Sequence, residues 1–265
     1  MRKYSYVTLL SNDGYLPGIK GLYYSWKKTN PQYPLCVLVG HFVSEEVISF
    51  LLTIDVTVIR LCRKIELEPK IFSRNGSSLN QRWNYTFDKL QVFGLVQYDK
   101  LVFLDADMMV LENIDELFTH PHMSATNAGG ELIHEWVDLN SGIMVVEPSE
   151  KLYNELVKTI PDVCERKEQL GDQDVLQYKY PDWKKHPILN IGEQYNMLSI
   201  FADTYVKEFD YSYTPNKRYK KQIKVLHFAG EDKPWVVSYS FFIKIYNSLY
   251  YLFCGIDRYP EIIWS

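Results

Sequence analysis

The sequence contains no Cys-x-x-Cys pair: its four cysteines, Cys36, Cys62, Cys164 and Cys254, stand far apart. That excludes a zinc knuckle and a small disulfide scaffold, and it predicts reduced thiols in a cytoplasmic setting. Positive charge is also in short supply. With 29 Lys and Arg against 33 Asp and Glu, the formal net charge is -4, so the basic stripe that tracks a nucleic-acid backbone is missing. No apolar run reaches the length that crosses a bilayer, so no transmembrane segment is predicted. The nearest run, FFIKIYNSLYYLFCGI over residues 241–256, contains Lys244 and Asn247. It predicts a C-terminal helix packed on the core in preference to one lying on a membrane or a partner. The apolar stretch near the start is broken by Ser11, Asn12 and Asp13 and does not read as a secretory leader. No internal repeat, low-complexity tract or linker divides the chain. The expectation is one domain over residues 1–265, with 236–265 a C-terminal helical extension.

What the chain does have is apolar material, 46% of its 265 residues, enough for a sizeable core. YSYVTLL over residues 4–10 is a short β-branched and aromatic run that stops at the turn cluster SNDG. Residues 16–28 carry helix-like spacing, PLCVLVG over 34–40 reads as a buried strand, and 44–54 as a helix with Ser44 at its N-cap. Residues 56–61 form a third strand. Pro69, Gly76, Ser77, Ser78 and Asn80 break any period over 63–84, which reads as an ordered surface loop or lid. A helix over about 86–96 leads into the strand KLVFL, and SGIMVVEPS, a helix over 150–164, a helix starting at GDQ and the late strand IKVLHFAG follow. Alternating strands and helices predict an α/β fold: a Rossmann-like, mostly parallel central sheet with helices on both faces. A dinucleotide-dependent oxidoreductase would share that architecture, but the first strand is followed by SNDGYLPG and not by G-x-G-x-x-G.

The stretch KLVFLDADMMVLENIDELF over residues 100–118 sets two acids, Asp105 and Asp107, at the end of its apolar run. In open parallel sheets, ligands bind beyond the carboxyl ends of the strands. Acids two apart on extended backbone point the same way and can reach one hard cation. A bare D-x-D is a weak motif, since Asp105 capping the following turn and a solvated Asp107 would explain the same letters. A histidine ending another strand, His227, suits manganese better than magnesium or calcium.

The order of segments adds specificity. VTLLSNDGYLPG, FDKLQVFGLVQYDKLVFLDADMMVLENIDELF, LNSGIMVVEPS, the GDQ at Gly171 and HFAGEDKPW at 227–235 resemble, in that order, the motifs of glycosyltransferase family 8, the glycogenin and galactinol synthase group. The resemblance covers residues 4–235. It implies the GT-A fold and a retaining hexosyltransferase that uses a UDP-sugar, UDP-glucose or UDP-galactose, and manganese, with magnesium the alternative. By the resemblance, Asp105, Asp107 and His227 are the metal ligands and Ala106 lies between the two acids at the donor. Leu9, Ser11, Asn12 and Tyr15 match positions that hold nucleobase and ribose, with Tyr15 free to stack on uracil. Lys89 matches a lysine that contacts the donor; a surface lysine is the equal alternative. Asn140, Ser141, Asp172 and Gln173 match positions lining the donor sugar. Asp172 is the carboxylate to attack the anomeric carbon if a covalent intermediate forms, its plain alternative being the N-cap of the helix it opens. Gln173 is the residue to shield the oxocarbenium-like centre. Lys233 would offset charge on the leaving diphosphate, and Gly230 would let the backbone approach the phosphates.

The acceptor is a sugar, polyol or protein hydroxyl that the sequence does not specify, and a homodimer is in keeping with the group. ATNAGGELIHEW, which follows Ser124, departs from the family's acceptor-side pattern and argues against self-glucosylation. Tyr195 and Asn196 are expected to border the acceptor pocket. A noncatalytic nucleotide-sugar binder of the same fold is the alternative function.

Overall fold

A strand that is apolar at nearly every position is stable only when both its faces are covered. KLVFL and YSYVTLL are of that kind, and they become neighbours. The computed structural model describes residues 2–63, 65, 81–127, 129–166, 171–213, 221–230 and 233–236. Of the predicted lid over 63–84, residues 64 and 66–80 lie outside them while 81–84 belong to a 3-10 helix, and the predicted C-terminal helix over 236–265 lies outside them but for residue 236.

The main sheet contains β1 (Tyr4–Asn12), β2 (Leu35–Phe42), β3 (Thr57–Arg60), β4 (Lys100–Leu104), β6 (Ala125–Asn127) and β7 (Leu139–Val146), in the order β3-β2-β1-β4-β7-β6. The first four strands run parallel, whereas β7 is antiparallel to both β4 and β6. Val7, Leu9, Leu101 and Phe103 face one side, where they pack with α3 (Glu150–Cys164) and α4 (Asp172–Lys179). Tyr6, Leu10, Val102 and Leu104 face the other, against α1 (Leu16–Lys28) and α2 (Glu45–Leu51). Ser44 and Ser149 cap α2 and α3 by accepting from Val47 and Leu152 N–H. The predicted helix over 86–96 is instead a run of tight 3-10 turns, Gln81–Gly94, that packs Phe87, Leu90 and Phe93 onto the sheet.

A second, three-stranded sheet is built from β5 (Met108–Val110), β8 (Met197–Leu198) and β11 (Val225–His227), in the order β5-β11-β8. It rests on a third core of Met197, Tyr205, Tyr211, Leu226 and Phe228, which includes α5 (Ala202–Glu208) and β9 (Tyr211–Ser212); β9 pairs with β10 (Lys221–Gln222). Because β5 leaves the acids and pairs with β11, His227 is drawn opposite Met108 and thus to the tip of β4. α1 approaches the same tip at Gly18, where a Cβ would come within 2.5 Å of the Ala106 carbonyl oxygen. Only glycine fits that approach.

Candidate active site

The tip of β4 opens into a cleft of about 560 Å³. The end of β1 supplies Leu9, Ser11 and Asn12, the turn after it supplies Tyr15, and the β4–β5 link supplies Asp105, Ala106 and Asp107. Asn140 and Ser141 come from β7, Asp172 and Gln173 from the start of α4, Lys89 from the 3-10 run, His227 from β11 and Lys233 from the segment beyond it. Among the described residues, Gly230 is not one of those that line the cleft, and a Cβ there would meet Ile200 at 3.9 Å. Thr86, Gly142, Gly171, Asp174 and Ala229 also line the cleft, although the sequence reading gave none of them a role in the site.

Ligand atoms of Asp105, Asp107 and His227 all lie within 4.8 Å of one another. His227 Nε2 is 3.2 Å from Asp107 Oδ1 and 3.7 Å from Asp105 Oδ2. Burial works to raise the Asp107 pKa, but the charges and hydrogen bonds of His227 and Lys233 overcome it and hold this carboxyl well below the usual carboxylate range. Asp105 goes the other way: burial pushes it up, and Lys89 and His227 offset this only in part. The set therefore joins one firmly ionised carboxylate, one destabilised one and an imidazole, with acceptor capacity that a divalent cation would satisfy. The two carboxylates suit a hard divalent ion, and the imidazole nitrogen is taken more readily by manganese than by magnesium or calcium, so the residues present fit the group.

Lys89 is the side chain that the sequence placed least well. It is buried, at 6% exposure, and its ammonium lies 2.9 Å from Asp105 Oδ1 and 3.0 Å from Asp172 Oδ2. Burial alone would lower its pKa, but the two carboxylates raise it, so the cation is locked in place. Asp172 also accepts from Ser141 Oγ at 2.7 Å. The N-cap reading of Asp172 is overturned: it is the first helical residue, and the cap is formed by Asp174, whose carboxylate accepts from Gly171 N–H at 2.9 Å. Gln173 Oε1 accepts from Ser141 N–H at 3.2 Å. Lys233 donates to Asp107 and to the Phe228 carbonyl at 2.6 Å, with its ammonium over the Tyr15 ring.

At the far end, Asn12 Oδ1 accepts from Gly14 N–H at 3.0 Å, which leaves its amide hydrogens for a ligand. The Tyr15 ring meets Trp235 edge to face, at 5.8 Å between centroids. The expectation for Tyr195 fails, because its hydroxyl donates to Glu116 at 2.8 Å and the ring lies in the core behind the sheet. Asn196 lies behind His227, hydrogen bonded to its Nδ1 at 2.7 Å.

A largely parallel sheet with paired acids at its carboxyl edge, and a second small sheet bringing a histidine to them, is the architecture of the GT-A glycosyltransferases. Superposition agrees: the chain matches the apo-form glycosyltransferase GlyE of Streptococcus pneumoniae with a TM-score of 0.62 at 18% identity, over 99% of this chain and 62% of that one. It matches the galactosyltransferase LgtC, solved with donor and acceptor sugar analogs, with a TM-score of 0.58 at 14% identity, over 96% of this chain and 97% of that one. The family model for glycosyl transferase family 8 matches residues 6–237, and the chain belongs to that family. Among its relatives is glycogenin-1 of Mus musculus, 31% identical over 244 residues, which amount to 91% of this chain and 68% of that protein. No described helix is long and apolar enough to cross a membrane.

Proposed function

We propose that the protein transfers glucose or galactose from a UDP-sugar to an acceptor hydroxyl, with retention at the anomeric carbon and with manganese, ahead of magnesium, as its cation. The observation that carries this reading is the Asp105, Asp107 and His227 cluster at the sheet's carboxyl edge, whose ligand atoms lie within 4.8 Å of one another, with Lys233 beside it. A divalent cation held by these three residues would supply a positive centre for the diphosphate of the donor.

The chain's own groups divide the remaining work. Asn12 and Tyr15 hold the nucleotide, Asn12 through its free amide hydrogens and Tyr15 through its ring. Lys233, which stands beside Asp107, would donate to the diphosphate oxygens as charge builds on the leaving UDP. Asn140, Ser141 and Gln173 surround the sugar. Among the described residues, the sugar end carries Asp172 and Asp174, and the cation there, Lys89, is taken by Asp105 and Asp172, which favours a neutral hexose over a uronic acid. Asp172 accepts from both Lys89 and Ser141, and a carboxylate so held is a weak nucleophile. This favours departure and attack on one face of the sugar, with Asp172 fixing Lys89 and Gln173 facing the oxocarbenium-like centre. The acceptor is a sugar, polyol or protein hydroxyl.

The test is UDP release from a panel of UDP-sugars by the purified protein, with manganese, with magnesium and with EDTA, across acceptor classes. Turnover of one hexose donor only with metal is expected. Equal turnover in EDTA overturns the cation reading, and tight UDP binding with no turnover on any acceptor overturns the enzymatic one.

A further inference from the structure

We infer that Asn196 is a positioning residue: it fixes the tautomer of His227 so that Nε2 faces the cation, and it turns the amide of Asn140 toward the donor sugar. The inference rests on the proposed cation site and goes beyond it. One backbone group at this site has a fixed polarity. Gly142 N–H can only donate, so the Asn140 side-chain atom 2.9 Å from it is the oxygen, Oδ1. That same oxygen lies 2.8 Å from the amide of Asn196, which must therefore present Nδ2. The second hydrogen of Nδ2 goes to Thr126 Oγ1 at 2.9 Å, so both donors of Asn196 are used.

Its oxygen is thereby left facing His227 Nδ1 at 2.7 Å. An oxygen accepts, so Nδ1 carries the hydrogen. The neutral ring then presents the bare lone pair of Nε2 to the point between Asp105 and Asp107. The reverse orientation of Asn196 would put an N–H against Nδ1, move the ring proton to Nε2 and block the cation. It would also set two oxygens 2.8 Å apart at Asn140. Asn196 and His227 are 6% and 5% exposed, so water does not replace these partners. The ring packs closely on Gly142, where an added Cβ would come within 2.9 Å of His227 Cε1.

The same chain fixes Asn140. Its Oδ1 accepts from both Gly142 and Asn196, which leaves Nδ2 as the donor for the cleft that Asn140 lines. A donor there suits a sugar hydroxyl. One backbone N–H thus sets the polarity of three side chains, from the wall beside the sugar to the cation ligand.

The test titrates Mn2+ into purified wild-type, Asn196→Ala and Asn196→Asp proteins, following free Mn2+ by electron paramagnetic resonance and the histidine nitrogen on bound Mn2+ by spin-echo modulation. Asn196→Ala is expected to lose about 10- to 100-fold in Mn2+ affinity, the usual cost of removing the partner that orients a ligating histidine. Asn196→Asp keeps an acceptor opposite Nδ1 and should retain the affinity and the nitrogen coupling. Its second oxygen opposes Asn140 Oδ1, so its KM for the UDP-sugar should rise.

Wild-type affinity in Asn196→Ala, or an equal loss in both variants, overturns the role at His227. An unchanged KM in Asn196→Asp overturns the role at Asn140. Absence of Mn2+ binding by wild type removes the cation site itself, and the inference with it. If the alanine variant does not fold, nitrogen-15 NMR of Cd2+-loaded wild type decides: a ring proton on Nδ1 is expected, and ligation through Nδ1 overturns the inference.

Discussion

The two ends of the cleft are built in opposite ways. The nucleotide end is a single short piece of chain, in which Leu9, Ser11, Asn12 and Tyr15 follow one another through the end of β1 and the turn after it. The cation and sugar end collects Lys89, Asp105, Asp107, Asn140, Asp172, Asn196 and His227 from six separate elements or links, and most of these groups touch one another. A site on contiguous chain can lose one contact and keep the rest. A site of mutually compensating buried charges cannot, because removing one member leaves its partner unpaired.

The largest effect is expected from Asp107→Asn. It should leave the circular-dichroism spectrum intact and lower kcat at least about 100-fold, since a bound cation supplies several kcal/mol of charge stabilisation. Activity close to wild type would show that the assembled end is not where the chemistry happens. Lys89→Met comes next. It strands the Asp105 and Asp172 carboxylates and should cost about 3 kcal/mol in denaturant unfolding, as breaking a buried pair does. Part of that loss should return on adding Mn2+, and a loss indifferent to metal would mean that Lys89 serves packing alone.

Tyr15→Ala, at the contiguous end, should raise the donor KM about 10-fold with little change in kcat, the signature of binding shared by ground and transition states. A collapse of kcat there would erase the distinction between the two ends.

The smallest effect concerns Glu193, which lies behind Asn196 and accepts from Glu131 N–H and the Tyr205 hydroxyl. Burial raises its pKa, with those two donors opposing in part. The folded protein therefore holds this proton more tightly than the unfolded chain does, so stability from Glu193 is present at low pH and is lost as pH rises through the folded value. Glu193→Gln should melt a few degrees above wild type near pH 8 and lose that advantage by about pH 4. A gap that does not change with pH would show that its ionisation has no bearing on the core behind the site.

The same contrast decided what could be read in advance. The strands and their order along the chain were legible because both faces of β1 and β4 are covered, which forces near-continuous apolar runs. Ser44 and Ser149 announced helix starts through the hydroxyls that cap them. Lys89 resembled any lysine on a helix surface, and nothing local distinguishes a solvated ammonium from one buried between carboxylates 16 and 83 residues away. Asp172 carried the letters of an N-cap, yet Asp174 forms the cap and frees Asp172 for Lys89. The tight 3-10 geometry of Gln81–Gly94 was not visible either, because its apolar positions serve a helix of either pitch.

The alternation of elements, the two acids at the end of a buried strand, the polar turn after β1 and the ordered set of family motifs are all legible in the order of the amino acids. Those features are local, or depend on the order of segments along one dimension. The tertiary structure alone decided that Asn196, 31 residues from His227 in sequence, sets its hydrogen-bond polarity through an amide anchored at Gly142. Hydrogen-bond direction is a property of neighbours in space, and only the pairing of β5, β11 and β8 beside β7 makes these residues neighbours.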